Sequence, residues 1–271
     1  MHVHAPTSTD GHDFYRSAIA ILQSASLKFL VGGAYALRVH TGIQRDTKDF
    51  DVLVRPQDVE RTLEAFRQAG CNVELTFPHW LAKVRQDPYF IDLIFRSGNG
   101  LCDVDDEWFE FASTADVLGH TLPVCPPEEM IWQKAYIMER ERFDGADVQH
   151  LLLGCGRTLD WERLLRRFGS DWPVLLCHLI LFTYVYPGEE GVVPEWVMER
   201  LIAHLRSGDA SETGRLCRGT LLSRLQYLED VEKRGYADER LSPRVQMNAA
   251  DLRQWTAAAR DEAQRHGKGE H

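Results

Sequence analysis

The sequence predicts an α+β fold in two parts, strands and helices together over residues 1–124 and helices alone over residues 125–271. Three observations predict it. An apolar run, Phe29-Leu30-Val31, ends in Gly32-Gly33, which reads as a strand meeting a turn. Two later runs, Asp49-Phe50-Asp51-Val52-Leu53-Val54 and Tyr89-Phe90-Ile91-Asp92-Leu93-Ile94-Phe95, alternate with the period of two that belongs to strands. After Pro126-Pro127-Glu128-Glu129, where proline and two acids mark a helix start, strand signals nearly vanish.

Taken in order, residues 1–11 are polar and expected to fray, so His2 and His4, with His12 just beyond, are not read as specific metal ligands. Phe14, Ala18, Ile21, Leu22 and Ala25 recur at helical spacing over residues 13–26 and lead into the strand at 29–31. Residues 34–40 form a helix ended by Gly42, and its first turn offers N–H groups and a positive dipole end to whatever the Gly-Gly turn holds. Beyond Pro56, Val59, Leu63 and Phe66 mark a helix closed by Gly70, and Val73, Leu75 and Phe77 mark a strand. Residues 80–85 and 89–95 form a hairpin through Gln86-Asp87-Pro88. Ser97-Gly98-Asn99-Gly100 is a turn, and Asp103, Asp105 and Asp106 after it read as a solvated loop, because the Gly and Glu of a calcium-binding loop are missing. Trp108, Phe109 and Phe111 cover a sheet edge. From residue 148 onward helices are expected at 148–153, 161–168, 174–184, 194–205, 216–232 and 249–265, with a loop over 241–248.

A chain of 271 residues, 44% hydrophobic and 27% charged, has the composition of an ordinary globular protein and the length for two modest domains. Its net charge of −10 speaks against broad nonspecific binding to nucleic acid, which is carried by Lys and Arg. Six cysteines without a Cys-x-x-Cys pair read as reduced thiols. With no secretory signal at the N-terminus, a cytoplasmic protein is expected. No membrane partner is expected either, since the longest apolar stretch, residues 172–186, falls short of a span and reads as a buried core helix.

The chemistry concentrates between Gly32 and Asp51. A Gly-Gly turn lets backbone N–H groups approach a ligand that a Cβ would keep away, and phosphate is the natural one. Period two puts Asp49 and Asp51 on one strand face, their Cα atoms roughly 6.6 Å apart and both in reach of one cation. At about 5 Å and an effective dielectric near 20, the two charges repel by on the order of 3 kcal/mol, a sign that a divalent cation reverses. Hard oxygen donors without His or Cys favour Mg²⁺, with Mn²⁺ as an alternative. A solvent-facing edge strand carrying two acids by chance is the competing reading. Asp92 faces away from Ile91, Leu93 and Phe95, so three acids converge if its strand neighbours residues 49–54. Arg45 and Thr47 stand just ahead of the acidic strand, placed to contact phosphate oxygens, although Arg45 has Asp46 and Asp49 as alternative partners. Lys134 recurs with Met130 and Met138 at helical spacing; beside an apolar stripe it needs an anion, either a phosphate or an internal carboxylate.

Gly32-Gly33, Arg45-x-Thr47-x-Asp49-x-Asp51 and Asp92 together resemble the nucleotidyltransferase superfamily with the DNA polymerase β-type core, most of all its bacterial stand-alone members, including abortive-infection-type toxins. The resemblance covers about the first half of the chain. It implies a nucleotidyltransferase-like mixed β-sheet flanked by helices, followed here by an all-α bundle. It also implies Gly32 and Gly33 holding nucleotide phosphates, three acids holding two Mg²⁺ ions, and transfer of a nucleoside monophosphate from an NTP to an acceptor with release of pyrophosphate. Stand-alone members carry a lysine comparable to Lys134, followed by an arginine and a helix-borne aspartate, which Arg142 and Asp147 match. The chain departs from the antibiotic-modifying members in having Gly-Gly for their usual Gly-Ser and a longer spacing, fifteen residues, between Gly33 and Asp49. A small molecule, a tRNA end and a protein side chain all stay open as acceptor. A catalytically silent nucleotide-binding or toxin–antitoxin-type partner-binding module on the same fold is the competing function. A dinucleotide-binding dehydrogenase is discounted, since Gly-x-Gly-x-x-Gly is missing.

Overall fold

The computed structural model describes residues 8–45, 47, 49–86, 89–208 and 214–267. Expectations that fell on His2, His4, Asp46, the Asp87-Pro88 turn and the last four residues lie outside these. The chain divides into two compact units: the first takes in the described residues through Gly98 together with Asp103–Pro126, the second Asn99–Cys102 together with the chain from Pro127 onward.

In the first unit, α1 (Ser8–Ser24) starts inside the stretch expected to fray and buries Phe14, Tyr15, Ala18, Ile19 and Leu22. β1 (Leu30–Val31) runs into α2 (Gly33–Thr41), which stops at Gly42, left-handed at φ 73°, with its N–H donating to the Arg38 carbonyl. β2 (Asp49–Leu53) follows, then a 3₁₀ turn at Pro56–Asp58 and α3 (Val59–Gln68), whose Leu63 and Phe66 are buried. The hairpins then come in sequence: β3 (Asn72–Phe77), β4 (Leu81–Gln86) and β5 (Tyr89–Ile94). A short helix, α4 (Asp106–Glu110), is capped by Asp105, which accepts from the Glu107 N–H at 3.0 Å. β6 (Ser113–Val117) and β7 (His120–Val124) close the unit.

These seven strands form one mixed sheet in the order β3-β4-β5-β2-β1-β7-β6, with β2 parallel to β5, β1 parallel to β7 and the other pairs antiparallel. One face is core: Phe50 and Val52, Ile91 and Leu93, and Val84 are all fully buried. The period of two therefore delivers Asp49, Asp51 and Asp92 to the other face, where they are only partly covered. The β6–β7 hairpin is an addition to the sequence reading. Ser113-Thr114-Ala115-Asp116-Val117 has one large apolar residue, too few for a periodic signal, and its tight turn uses Leu118 and Gly119 at φ 56° and 83°. Leu is a rare choice for that conformation, so the turn hides as well.

The second unit is helical: α5 (Pro127–Ala135), α6 (Gly145–Cys155), α7 (Trp161–Phe168), α8 (Trp172–Val185), α9 (Glu195–Ser207), α10 (Leu228–Glu232) and α11 (Ala249–Gly267). Two strands of two residues each, β8 (Leu216–Cys217) and β9 (Ala237–Asp238), pair in parallel between them. The single helix expected over 216–232 is thus broken. Ser223 and Arg224 bond the Glu139 carboxylate, Ser223 Oγ also accepts the Gln226 N–H, and Gly219 lies so close to Tyr227 that an added Cβ would meet the ring at 2.4 Å. Side chain to backbone bonds of this kind compete with the helical ladder. The expectation of a buried core helix at 172–186 also needs correction. α8 buries Leu175, Leu179 and Phe182, but Ile180 and Tyr184 on its outer side are exposed.

The joint between α5 and α7 is ionic and buried. Glu129 is fully buried, 3.2 Å from Arg167 Nε and 3.6 Å from an Arg163 guanidinium nitrogen. Glu128 pairs with the other Arg163 nitrogen and accepts the Asp160 N–H at 2.7 Å. Burial outweighs both arginines and pushes the Glu129 carboxyl up to about 7 from an ordinary 4.5. The folded state then holds this proton more tightly than the unfolded chain. Its contribution to stability is complete below about pH 4.5, falls as pH rises towards 7, and amounts to about 3 kcal/mol in all. Denaturant titrations at pH 5 and pH 8 are expected to show this decline, and Glu129→Gln is expected to flatten it. An equally steep decline in the Gln variant assigns the proton elsewhere.

Candidate active site

The acidic face is assembled by register. β1 pairs with β2 through Leu30 opposite Leu53 and Val31 opposite Val52, so the chain leaves β1 level with Asp51. The Gly32 N–H donates to the Asp51 carbonyl at 2.9 Å and so pins the turn to the acidic strand. Gly33 opens α2 at φ 53°, and a Cβ there would lie 1.6 Å from Asp51 Oδ2 and 2.6 Å from its Cγ. The position therefore demands glycine twice, for its left-handed backbone and for the carboxylate lying against it. Asp51 consequently sits at the start of α2, where the helix dipole favours an anion and no side chain caps the helix.

The parallel β2–β5 ladder sets Asp51 opposite Asp92 and Asp49 opposite Phe90. One carboxylate oxygen from each of Asp49, Asp51 and Asp92 lies within 4.8 Å of the other two. Three oxygens at that spacing, with no nitrogen or sulfur donor among them, fit a hard divalent cation. Thr47 donates its hydroxyl to Asp49 Oδ1 through a short bond and to the Asp49 carbonyl at 3.2 Å, so it steadies this acid from the preceding segment. Arg45 lies exposed two residues earlier.

Lys83 is the site residue that sequence reasoning missed. It stands opposite Asp92 in the β4–β5 ladder, with Nζ 2.5 Å from Asp92 Oδ1 and both side chains mostly covered, at 18% and 16% exposure. Burial raises the Asp92 carboxyl, Lys83 opposes that shift, and the neighbouring Asp49 charge adds to it. The signal was present in the hairpin: with Gln86 opposite Tyr89, counting back three residues on one strand and forward three on the other puts Lys83 on Asp92. Two tyrosines frame the reverse side of β2. Tyr15 stacks on Phe50 at 5.4 Å and Tyr35 meets it edge-on at 5.2 Å. Burial, with Tyr35 and Asp49 next, pushes the Tyr15 phenol up to about 12, so it stays protonated.

Lys134 belongs to the second unit, where its ammonium lies 2.8 Å from both Asp144 and Asp147. Arg142 forks onto Asp144 at 2.9 and 3.0 Å. Burial alone would raise the Asp144 carboxyl, but Arg142 and Lys134 hold it down to about 2. Of the eight residues singled out in the sequence, the first unit brings together Asp49, Asp51, Asp92, Gly32, Gly33 and Thr47, whereas Lys134 has carboxylates of its own unit as its partners.

No family model and no curated protein matches the chain. Among solved structures it is similar to the antibiotic-resistance factor ANT(2'')-Ia in solution, at 16% identity over 64% of this chain and 98% of that one, with a TM-score of 0.43. A second is the lincosamide antibiotic adenylyltransferase LnuA with lincomycin bound, at 16% identity over 54% and 96% of the two chains and a TM-score of 0.38. A third is an antigenic nucleotidyltransferase-like protein from Paracoccidioides brasiliensis, at 15% identity over 65% and 94% and a TM-score of 0.36.

Proposed function

We propose that the protein is a nucleotidyltransferase of the DNA polymerase β-type superfamily that moves a nucleoside monophosphate from an NTP to an acceptor hydroxyl and releases pyrophosphate. The observation that supports it is the meeting of Asp49, Asp51 and Asp92 beside a turn in which Gly33 leaves no room for a side chain. Asp49 and Asp51 on β2 and Asp92 on β5 would hold Mg²⁺ or Mn²⁺. When bound, such ions supply positive charge against the charge that develops on the attacking and leaving oxygens. The rest is the chain's own work. Gly33 and the first turn of α2 present backbone N–H groups to the triphosphate, helped by the helix dipole, while Gly32 donates its own N–H to the Asp51 carbonyl and so fixes the turn. Arg45 adds a guanidinium for a phosphate oxygen, and Thr47 keeps Asp49 aimed through its hydroxyl. Asp92, on the strand next to Asp49 and Asp51, would take the acceptor's proton as the new P–O bond forms and the bond to pyrophosphate breaks. Lys134 is bound by Asp144 and Asp147 and carries no step of this reading.

The test is thermal unfolding. Mn²⁺ or Mg²⁺ with an NTP is expected to raise the melting temperature by several degrees, since a ligand of the folded state alone stabilises it by mass action. Changing Asp49, Asp51 and Asp92 together to Asn is expected to remove that rise. Equal metal-dependent shifts in the wild type and the triple variant would falsify the site.

A further inference from the structure

We propose that Lys83 is the resident counter-ion of the acidic cluster, holding Asp92 in place before any cation arrives and limiting how much divalent charge the cluster takes up without nucleotide. The inference rests on the cation-binding reading of Asp49, Asp51 and Asp92, and its geometry lies wholly within the β2–β5–β4 part of one sheet. Lys83 Nζ is 2.5 Å from Asp92 Oδ1, and the pair is mostly shielded from water. The ammonium also lies 4.3 Å from the centroid of Phe90, which precedes Asp92 by two residues on the same face. An aromatic face attracts a cation and limits where it can go, so Lys83 is held from two sides. Arg85, the next cation along β4, lies 3.3 Å from Glu74.

The charge count gives this arrangement its meaning. Counted at full formal charge, three carboxylates and one ammonium leave a net two negative charges, the charge that a single divalent cation balances. A second divalent cation would meet a cluster already neutral, and has to bring anions of its own. A triphosphate does that. Lys83 thereby ties full loading of the site to arrival of the nucleotide, and keeps Asp92 from being a bare carboxylate beside two others in the interval. Lys83 is a positioning residue in this account. It acts through Asp92 and not on the substrate.

The experiment is a Mn²⁺ titration without nucleotide, followed by electron paramagnetic resonance of the free ion, on wild type, Lys83→Met and Lys83→Arg. Circular dichroism confirms that each variant is folded. Lys83→Met is expected to bind Mn²⁺ at least tenfold more tightly than wild type, and Lys83→Arg, which keeps the charge, to stay close to wild type. Lys83→Met is also expected to melt lower without metal and to gain more on adding Mn²⁺, because its Asp92 has lost the ammonium. Unchanged or weaker Mn²⁺ binding in Lys83→Met overturns the counter-ion role while leaving the acidic site standing. Absence of specific Mn²⁺ binding in all three proteins overturns both.

Discussion

Asp51→Asn is expected to reduce nucleotidyl transfer by at least about a thousandfold, roughly 4 kcal/mol of transition-state stabilisation, while nucleotide affinity falls by less than about tenfold. Asp51 meets the site on three sides. It faces Asp92 across the β2–β5 ladder, shares oxygens within 4.8 Å with both other acids, and lies against the first residue of α2. The amide keeps the shape and removes the charge. The Gly32 bond runs to the Asp51 backbone carbonyl, so the turn is pinned as before and binding of the triphosphate is largely spared. Transfer of label from α-labelled NTP in cell extract, with nucleotide titration alongside, separates the two effects. A variant that transfers at a tenth of the wild-type rate would show that Asp51 is structural and that the acids do not act as a unit.

Gly33→Val is expected to abolish both nucleotide binding and the metal-dependent rise in melting temperature. The left-handed conformation at φ 53° costs an L-residue about 1–2 kcal/mol by itself. The new Cβ would also have to displace a carboxylate oxygen that stands 1.6 Å away, which turns Asp51 out of the cluster and, unlike Asp51→Asn, pushes aside the turn that offers N–H groups to phosphate. Gly42→Ala separates strain from collision. Gly42 is left-handed too, at φ 73°, yet nothing lies within 4 Å of its added Cβ. That variant is expected to lose about 1 kcal/mol of stability and keep its nucleotide and metal responses. If Gly33→Val and Gly42→Ala behave alike, the close approach at Gly33 has no functional meaning.

The three acids were legible because strand period and burial say the same thing: apolar Phe50, Val52, Ile91 and Leu93 fix one face, and the acids take what remains. Their convergence needed one more fact, that β2 and β5 are neighbours, which sequence supplies only as a condition. Lys134 shows the opposite limit. Helical spacing says that the ammonium needs an anion, and Asp144 and Asp147 are near enough in sequence to provide it, but spacing does not choose between a ligand's phosphate and the protein's own carboxylates. The 216–232 segment was misread for a different reason. Its helix propensity is local, while the bonds that break the helix run to Glu139, some eighty-five residues away.

The β4–β5 register makes the charge of the site depend on how two strands are aligned. Side chains on a strand alternate, so a slip of β4 by a single residue against β5 would turn each of its side chains to the opposite face. Lys83 would rotate to the apolar face, and Ala82 or Val84 would come up opposite Asp92. The ammonium opposite Asp92 is thus a property of strand register as much as of residue type.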